Sequence, residues 1–174
     1  MLTKVFFLFA VLAAARAQTQ VSQCISNPGD LPLNVDVAGC VTPPCALPQL
    51  EHAQIDIVFR APRTTVAMRT LATAYLQMGP VTVPVPYDLG EDAETCNFLI
   101  NARCPVLEGE VVSYRLRMLI ESFMPVGTQT TVEFRIVDAS NTNSALMCIR
   151  LPIRVEPPLS AALEGPKDES MATV

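Results

Sequence analysis

The sequence predicts an all-β domain, two antiparallel sheets sharing about seven short strands. Three observations carry that expectation. Apolar residues recur at every second position in four separate segments, the period of a strand with one buried face. Fifteen prolines stand against seven glycines, and proline is excluded from helix interiors and central strands. Six cysteines form an even set of the kind that braces a small domain in an oxidising compartment.

The chain has 174 residues, 50% hydrophobic and 17% charged, enough for one folded domain and too apolar for a disordered one. Lys4, the apolar run from Val5 to Ala15, and Ala15-Arg16-Ala17 have the order of a secretory signal peptide. Residues 1–17 are therefore expected to be removed, with cleavage after Ala17. The apolar run is about eleven residues, short of the ~20 that span a bilayer. No later stretch is longer, so the domain, residues 18–156, is expected to be secreted and not membrane-spanning. Residues 157–174, with Pro157, Pro158, Gly165, Pro166 and Lys167-Asp168-Glu169-Ser170, read as a flexible acidic tail. Loss of Lys4 and Arg16 makes the formal charge of −5 two units more negative. An acidic surface repels phosphate backbones, which excludes nucleic acid as a partner.

The strands follow in chain order. A weak one is expected around Leu33–Val37. Ile55, Ile57 and Phe59 then alternate with Gln54, Asp56, Val58 and Arg60. A second weak strand is expected over Val66–Leu76. Tyr114, Leu116, Met118 and Ile120 alternate with Ser113, Arg115, Arg117 and Leu119, and Val132, Phe134 and Ile136 alternate with Thr131, Glu133 and Arg135. Ile149, Leu151, Ile153 and Val155 alternate with Arg150, Pro152 and Arg154, the proline suggesting a sheet edge. Turn sequences separate these runs: Asn27-Pro28-Gly29-Asp30, Ala61-Pro62-Arg63, Met124-Pro125-Val126-Gly127 and Asp138-Ala139-Ser140-Asn141. No helical period appears outside the signal. The pattern is that of an immunoglobulin-like two-sheet sandwich, without the usual cysteines around a buried tryptophan.

Spacing narrows the cysteine pairing. Cys40 and Cys45 flank the rigid turn Val41-Thr42-Pro43-Pro44, and Cys96 and Cys104 close another small loop. That leaves Cys24 for Cys148, joining the two ends of the domain. Zinc is the competing use, but there is no CxxC pair and His52 is the one histidine.

Catalytic chemistry has few candidates. His52 lies beside Glu51 with no GxSxG elbow elsewhere, and reads as a solvent-facing loop residue. Glu91, Asp92 and Glu94 read as a solvated acidic loop rather than a calcium site. No phosphate-cradling glycine loop and no glycosylation sequon occur. The chain is therefore read as a non-enzyme with no metal and no cofactor. The segment Gly79-Pro80-Val81-Thr82-Val83-Pro84-Val85-Pro86-Tyr87 allows three readings. It is a sheet edge lining an opening with Val83, Val85 and Tyr87, a polyproline-type ligand for another domain, or a rigid loop.

The combination resembles the ML (lipid-recognition) domain family over residues 24 to about 155. The features are Cys24, the Cys40-Val41-Thr42-Pro43-Pro44-Cys45 loop, Met78-Gly79, the Val83-to-Tyr87 proline run, Cys104-Pro105, the Ser113-Tyr114 strand, and Cys148 followed by Ile149-Arg150-Leu151-Pro152-Ile153. The resemblance is strongest to the family's sterol carriers and weaker to its mite allergens. It implies a seven-stranded sandwich with an apolar cavity between splayed sheets, and the same cysteine pairing. It also implies a lipid-binding lining of Val83, Val85, Tyr87, Tyr114, Leu116, Met118, Ile120, Phe123, Met124 and Phe134. The implied ligand is an apolar lipid, a sterol first and a fatty acid second. The implied protein is a monomer that works outside the cell or in the lysosomal lumen, with a membrane sterol transporter or receptor as candidate partner. Met68, Met78, Met118, Met124 and Met147 would lend such a pocket adaptability, or simply fill the core. Two other functions are weighed: presentation of microbial lipid to an immune receptor, with Arg60, Arg63 and Arg69 as a possible basic patch, and a filled sandwich acting by surface contacts alone.

Overall fold

The computed structural model describes residues 18–26 and 28–162. The expected signal, Asn27 of the first turn and residues 163–174 of the expected tail lie outside them. Two sheets face each other. The smaller has β2 (Asn34–Val37), β4 (His52–Arg60) and β7 (Val111–Leu119), in the order β2-β4-β7. The larger runs β1 (Ser22–Gln23), β9 (Asn141–Glu156), β8 (Gln129–Asp138), β5 (Met68–Met78) and β6 (Val81–Tyr87), with β3 (Cys45–Pro48) also on β9. The four alternating segments form β4, β7, β8 and β9, and the two weak ones form β2 and β5. β1 and β3 have only two and four residues, too few to display an alternation.

Two local expectations change. β3 pairs with β9 in parallel, Cys45 opposite Ile153, so the larger sheet is not wholly antiparallel. β9 is not an edge strand. It has β8 on one side, and β1 and β3 in succession on the other. Pro152 falls between the Ser22–Arg150 and Cys45–Ile153 pairs, a break where a missing donor does no harm. The proline run resolves to β6, a true sheet edge paired with β5 from Ala72–Tyr87 to Met78–Val81. Pro84 and Pro86 deny its outer side backbone donors, which discourages pairing with another chain.

The disulfides are Cys24–Cys148, Cys40–Cys45 and Cys96–Cys104, the pairs selected by spacing. Behind them the core is graded. At one end Phe59, Tyr114, Phe134 and Met68 are at most 1% exposed, each large side chain contributing roughly 2–3 kcal/mol through burial. Two threonines join Tyr114 there: Thr70 Oγ1 lies 2.8 Å from the phenol oxygen and 2.7 Å from Thr95 Oγ1. These bonds tie β5 to β7 across the sandwich. Toward the other end the inward positions shrink and open. Along β5, buried Met68, Thr70 and Ala72 give way to half-buried Ala74 and Leu76. Along β8, buried Ile136, Phe134 and Val132 give way to half-buried Thr130. Small side chains on the neighbouring strands β5 and β8, Ala74 and Thr130, leave the space between the sheets unfilled at this end.

Candidate functional site

The unfilled end is a cavity of about 330 Å³, at the lower end of the ~300–1,000 Å³ usual for small-molecule sites. Ala74 and Leu76 of β5, Val85, Pro86 and Tyr87 of β6, Thr130 and Val132 of β8, Ile153 and Val155 of β9, and Met118 of β7 form its walls. Phe123, Met124, Pro125 and Thr128 of the β7–β8 loop form its mouth. Thr130 donates its hydroxyl to the Tyr75 carbonyl at 2.8 Å, which leaves only its methyl to the cavity. The lining carries no charged side chain, so a ligand is held by removal of its own apolar surface from water.

The mouth is braced from β3's side. Gln49, just after β3, donates from Nε2 to the Ser122 carbonyl at 3.2 Å and to the Met124 carbonyl. The Gly127 amide donates to Val155 at 2.8 Å, closing the loop onto β9. Phe123 stands 73% exposed on this frame, an aromatic ring held at the opening with little else to pack on.

One side of the cavity is a seam between the β6 edge and the β7 edge. Ile120's amide donates to the Glu51 carbonyl and its carbonyl accepts from Leu50. Alternation then turns the preceding Leu119 carbonyl away from β4, toward β6. Tyr87 crosses the gap and donates its hydroxyl to that carbonyl at 2.8 Å. Burial, then the charges of Glu121 and Asp88, hold the Tyr87 phenol above its usual pKa, so it stays a donor.

Of the ten residues expected to line a ligand site, the structure brings Val85, Tyr87, Met118, Phe123 and Met124 together. It places the other five elsewhere. Tyr114, Leu116, Ile120 and Phe134 are fully buried in the core and do not border this cavity. Val83 is half-buried beside Leu76, one step nearer the hairpin tip, and does not reach the lining. The lining residues that sequence reasoning passed over include Val132, Ile153 and Val155. All three are inward members of predicted strands, so parity already placed them between the sheets. The further signal was the small inward residues Ala74 and Thr130. Of the methionines, Met118 and Met124 line the cavity, Met68 and Met147 are buried core, and Met78 is exposed on the β5–β6 hairpin.

The other candidates carry less. His52 opens β4, rather than lying in a loop, and is exposed. Arg60 bonds the Gly109 carbonyl, Arg63 the Ser144 carbonyl, and Arg69 pairs with Glu94 at 3.6 Å. None of these arginines lines the cavity, so they form no basic patch at its mouth. Among the described residues the one grouping of metal-type ligands is Cys24, Glu133 and Cys148, and its sulfurs are joined in a disulfide, which removes the thiolates a metal needs. Among the same residues no helix is long and apolar enough to cross a membrane.

Comparison with known proteins agrees with this architecture. A family model described as ML domain matches residues 18–155. NPC intracellular cholesterol transporter 2 of Mus musculus is 25% identical over 155 residues, covering 88% of this chain and 97% of that protein. A crystal structure of a Niemann-Pick type C2 protein from the Japanese carpenter ant superposes with a TM-score of 0.61 at 14% identity, over 79% of this chain and 99% of that one. The last likeness is one of fold.

Proposed function

This chain belongs to the ML domain family, and from that premise we propose that it is a carrier holding an apolar lipid, a sterol first, in the cavity between its sheets. The observation that carries the reading is the cavity itself: about 330 Å³, uncharged, and open at a mouth fringed by Phe123 and Met124. Sandwich sheets normally interdigitate at ~10 Å. Leaving them apart forfeits packing that a ligand restores. A ligand of roughly thirty heavy atoms at ~0.3 kcal/mol each gives ~9 kcal/mol, micromolar or tighter. The printed name of the mouse relative, a cholesterol transporter, supports sterol as the first ligand to try. The activity needs no covalent step, only uptake, shielding from water and release. Cleavage after Ala17 and release from the cell belong to the same proposal.

The test is titration with a fluorescent sterol, alongside native mass spectrometry of the purified protein for co-purified lipid. Val85→Trp and Met118→Trp put an indole into the void and are expected to weaken binding at least tenfold while all three disulfides still form. Unchanged affinity in both variants overturns the reading.

A further inference from the structure

Beside the apolar cavity, on the far side of Tyr87, lies a second cleft of about 260 Å³. Tyr87 and Met118 border both spaces, so the Tyr87–Leu119 hydrogen bond is the partition between them. The second cleft is polar. Glu121 and Asp92 are half-buried in its wall and Asp88 stands at its rim. Its two basic side chains, Arg117 and His52, are exposed. Arg117 is an exposed outward residue of β7, like Arg115, and the lining sets it and His52 against three carboxylates. Burial first, and then the charges of Glu121 and Asp88, raise the pKa of the Tyr87 hydroxyl. The inner part of the cleft is therefore an acceptor-rich, negative environment next to an apolar one.

We propose that this cleft is the headgroup subsite of the carrier, and that it selects amphiphiles whose polar end donates a hydrogen bond, an alcohol or a protonated amine, over those ending in a carboxylate. The inference rests on the carrier reading above and specifies its ligand. The chain of the ligand lies in the apolar cavity and its head displaces the Tyr87 hydroxyl from Leu119. A donor head replaces the bond it breaks, because β7 is the edge of its sheet and no strand pairs with it on the side the Leu119 carbonyl faces. A carboxylate has no proton to give that carbonyl. It also enters a cleft lined by the carboxylates of Glu121, Asp88 and Asp92. A site built to receive a donor rejects a group lacking one by leaving its own polar atom unpaired, and like charges in a partly desolvated cleft add to that rejection.

The experiment uses three probes with one chain and different heads: tetradecanol, tetradecylamine and myristate. Each competes at pH 7 against a bound fluorescent sterol on the full mature protein. The alcohol and the amine are expected to compete at least tenfold better than myristate. The double variant Asp88→Asn, Glu121→Gln is expected to narrow that ratio severalfold. Tyr87→Phe gives the sharper readout. It removes the bond that any head must break to enter, so the alcohol and myristate both bind severalfold more tightly and the preference for the alcohol is kept. A purely structural Tyr87 would weaken both. Myristate competing as well as tetradecanol on the wild-type protein overturns the inference, as does an alcohol affinity lowered by Tyr87→Phe. If no probe competes while the sterol still binds, only the headgroup assignment fails. If the sterol itself does not bind, the carrier reading has failed first.

Discussion

Replacing Tyr114 by Phe separates two roles that are easily confused for an inward-facing aromatic on β7. The side chain is fully buried at the packed end, with its hydroxyl 2.8 Å from Thr70 Oγ1. Thr70 keeps its 2.7 Å partner Thr95 when the phenol oxygen is removed. No group is then orphaned, so the loss is that of one net buried hydrogen bond, about 1–1.5 kcal/mol. That corresponds to about 3–6 °C in Tm for a domain of this size. A second consequence follows from pH. Burial pushes the Tyr114 pKa from 10.0 up to about 12, against the opposing effect of its threonine hydrogen bonds. The folded state therefore keeps its proton above pH 10 where the unfolded state has lost it. Stability tied to this group is fully present below pH 10 and declines as pH rises from 10 toward 12, by roughly 1.4 kcal/mol at pH 11. The phenylalanine variant has no such proton. Its deficit at pH 7 should shrink to near zero by pH 11, measured by urea unfolding followed by circular dichroism at both values. Sterol affinity should not change, because Tyr114 does not reach the cavity. A deficit that is the same at pH 7 and pH 11 refutes the burial argument. A weakened sterol at unchanged stability refutes the placement.

Three more outcomes follow from the same geometry. Replacing both Cys24 and Cys148 by Ala opens a link spanning 124 residues and should lower unfolding free energy by about 4–5 kcal/mol in the chain-entropy picture, read as a fall in urea midpoint. Gly29→Ala places a Cβ 3.1 Å from the Met147 backbone at φ +54°, so a melt should show a loss of about 1–2 kcal/mol from strain and close contact. Gln49→Ala releases the carbonyls of Ser122 and Met124. Stopped-flow dissociation of a fluorescent sterol should quicken severalfold, with only a small change in Tm, because the loop and not the core is loosened.

Much of the architecture was legible because a half-buried strand writes its two faces into alternate residues. Ile55-to-Phe59 and Val132-to-Ile136 needed no context to be read. What stayed hidden depends on pairing across the chain. β3 is a strand only because Cys45–Pro48 finds the free side of β9 beside the Cys40–Cys45 loop, and four residues carry no period of their own. Pro152 looked like an edge marker because its sequence cannot disclose that β1 ends and β3 begins opposite it. The site was legible in part for a related reason. Parity places Tyr114, Leu116, Met118 and Ile120 on one face of β7 alike, but it does not say how deep each sits. Depth is decided by the partner strands, by Phe134 and Phe59 at one end and by Ala74 and Thr130 at the other. The polar cleft was further from view. Tyr87, Leu119 and Glu121 come together only when the edges of two different sheets meet.

The void and the packed end are two consequences of one gradient. A sandwich that narrowed evenly would either exclude a lipid or lose the contacts that hold its sheets in register. Here the fully buried aromatic residues, the Thr70–Tyr114 bond and the Cys96–Cys104 loop are concentrated where Met68 and Tyr114 lie, with the Cys96 sulfur accepting the Met68 amide at 3.3 Å. That end can hold β5 against β7 without help from the other. The open end is then free to keep small side chains, a proline-bearing edge strand and a single phenol bridge, features that would be destabilising in a uniform core. Occupancy by a ligand adds its binding free energy to folding by mass action, RT ln(1 + [L]/Kd). It therefore raises the cost of any opening that releases the ligand, and opening of the seam at Tyr87 should be the lowest-energy excursion of the empty protein. A carrier needs that ordering of stabilities: a rigid end that persists through loading and release, and a soft end whose closure depends on what it holds.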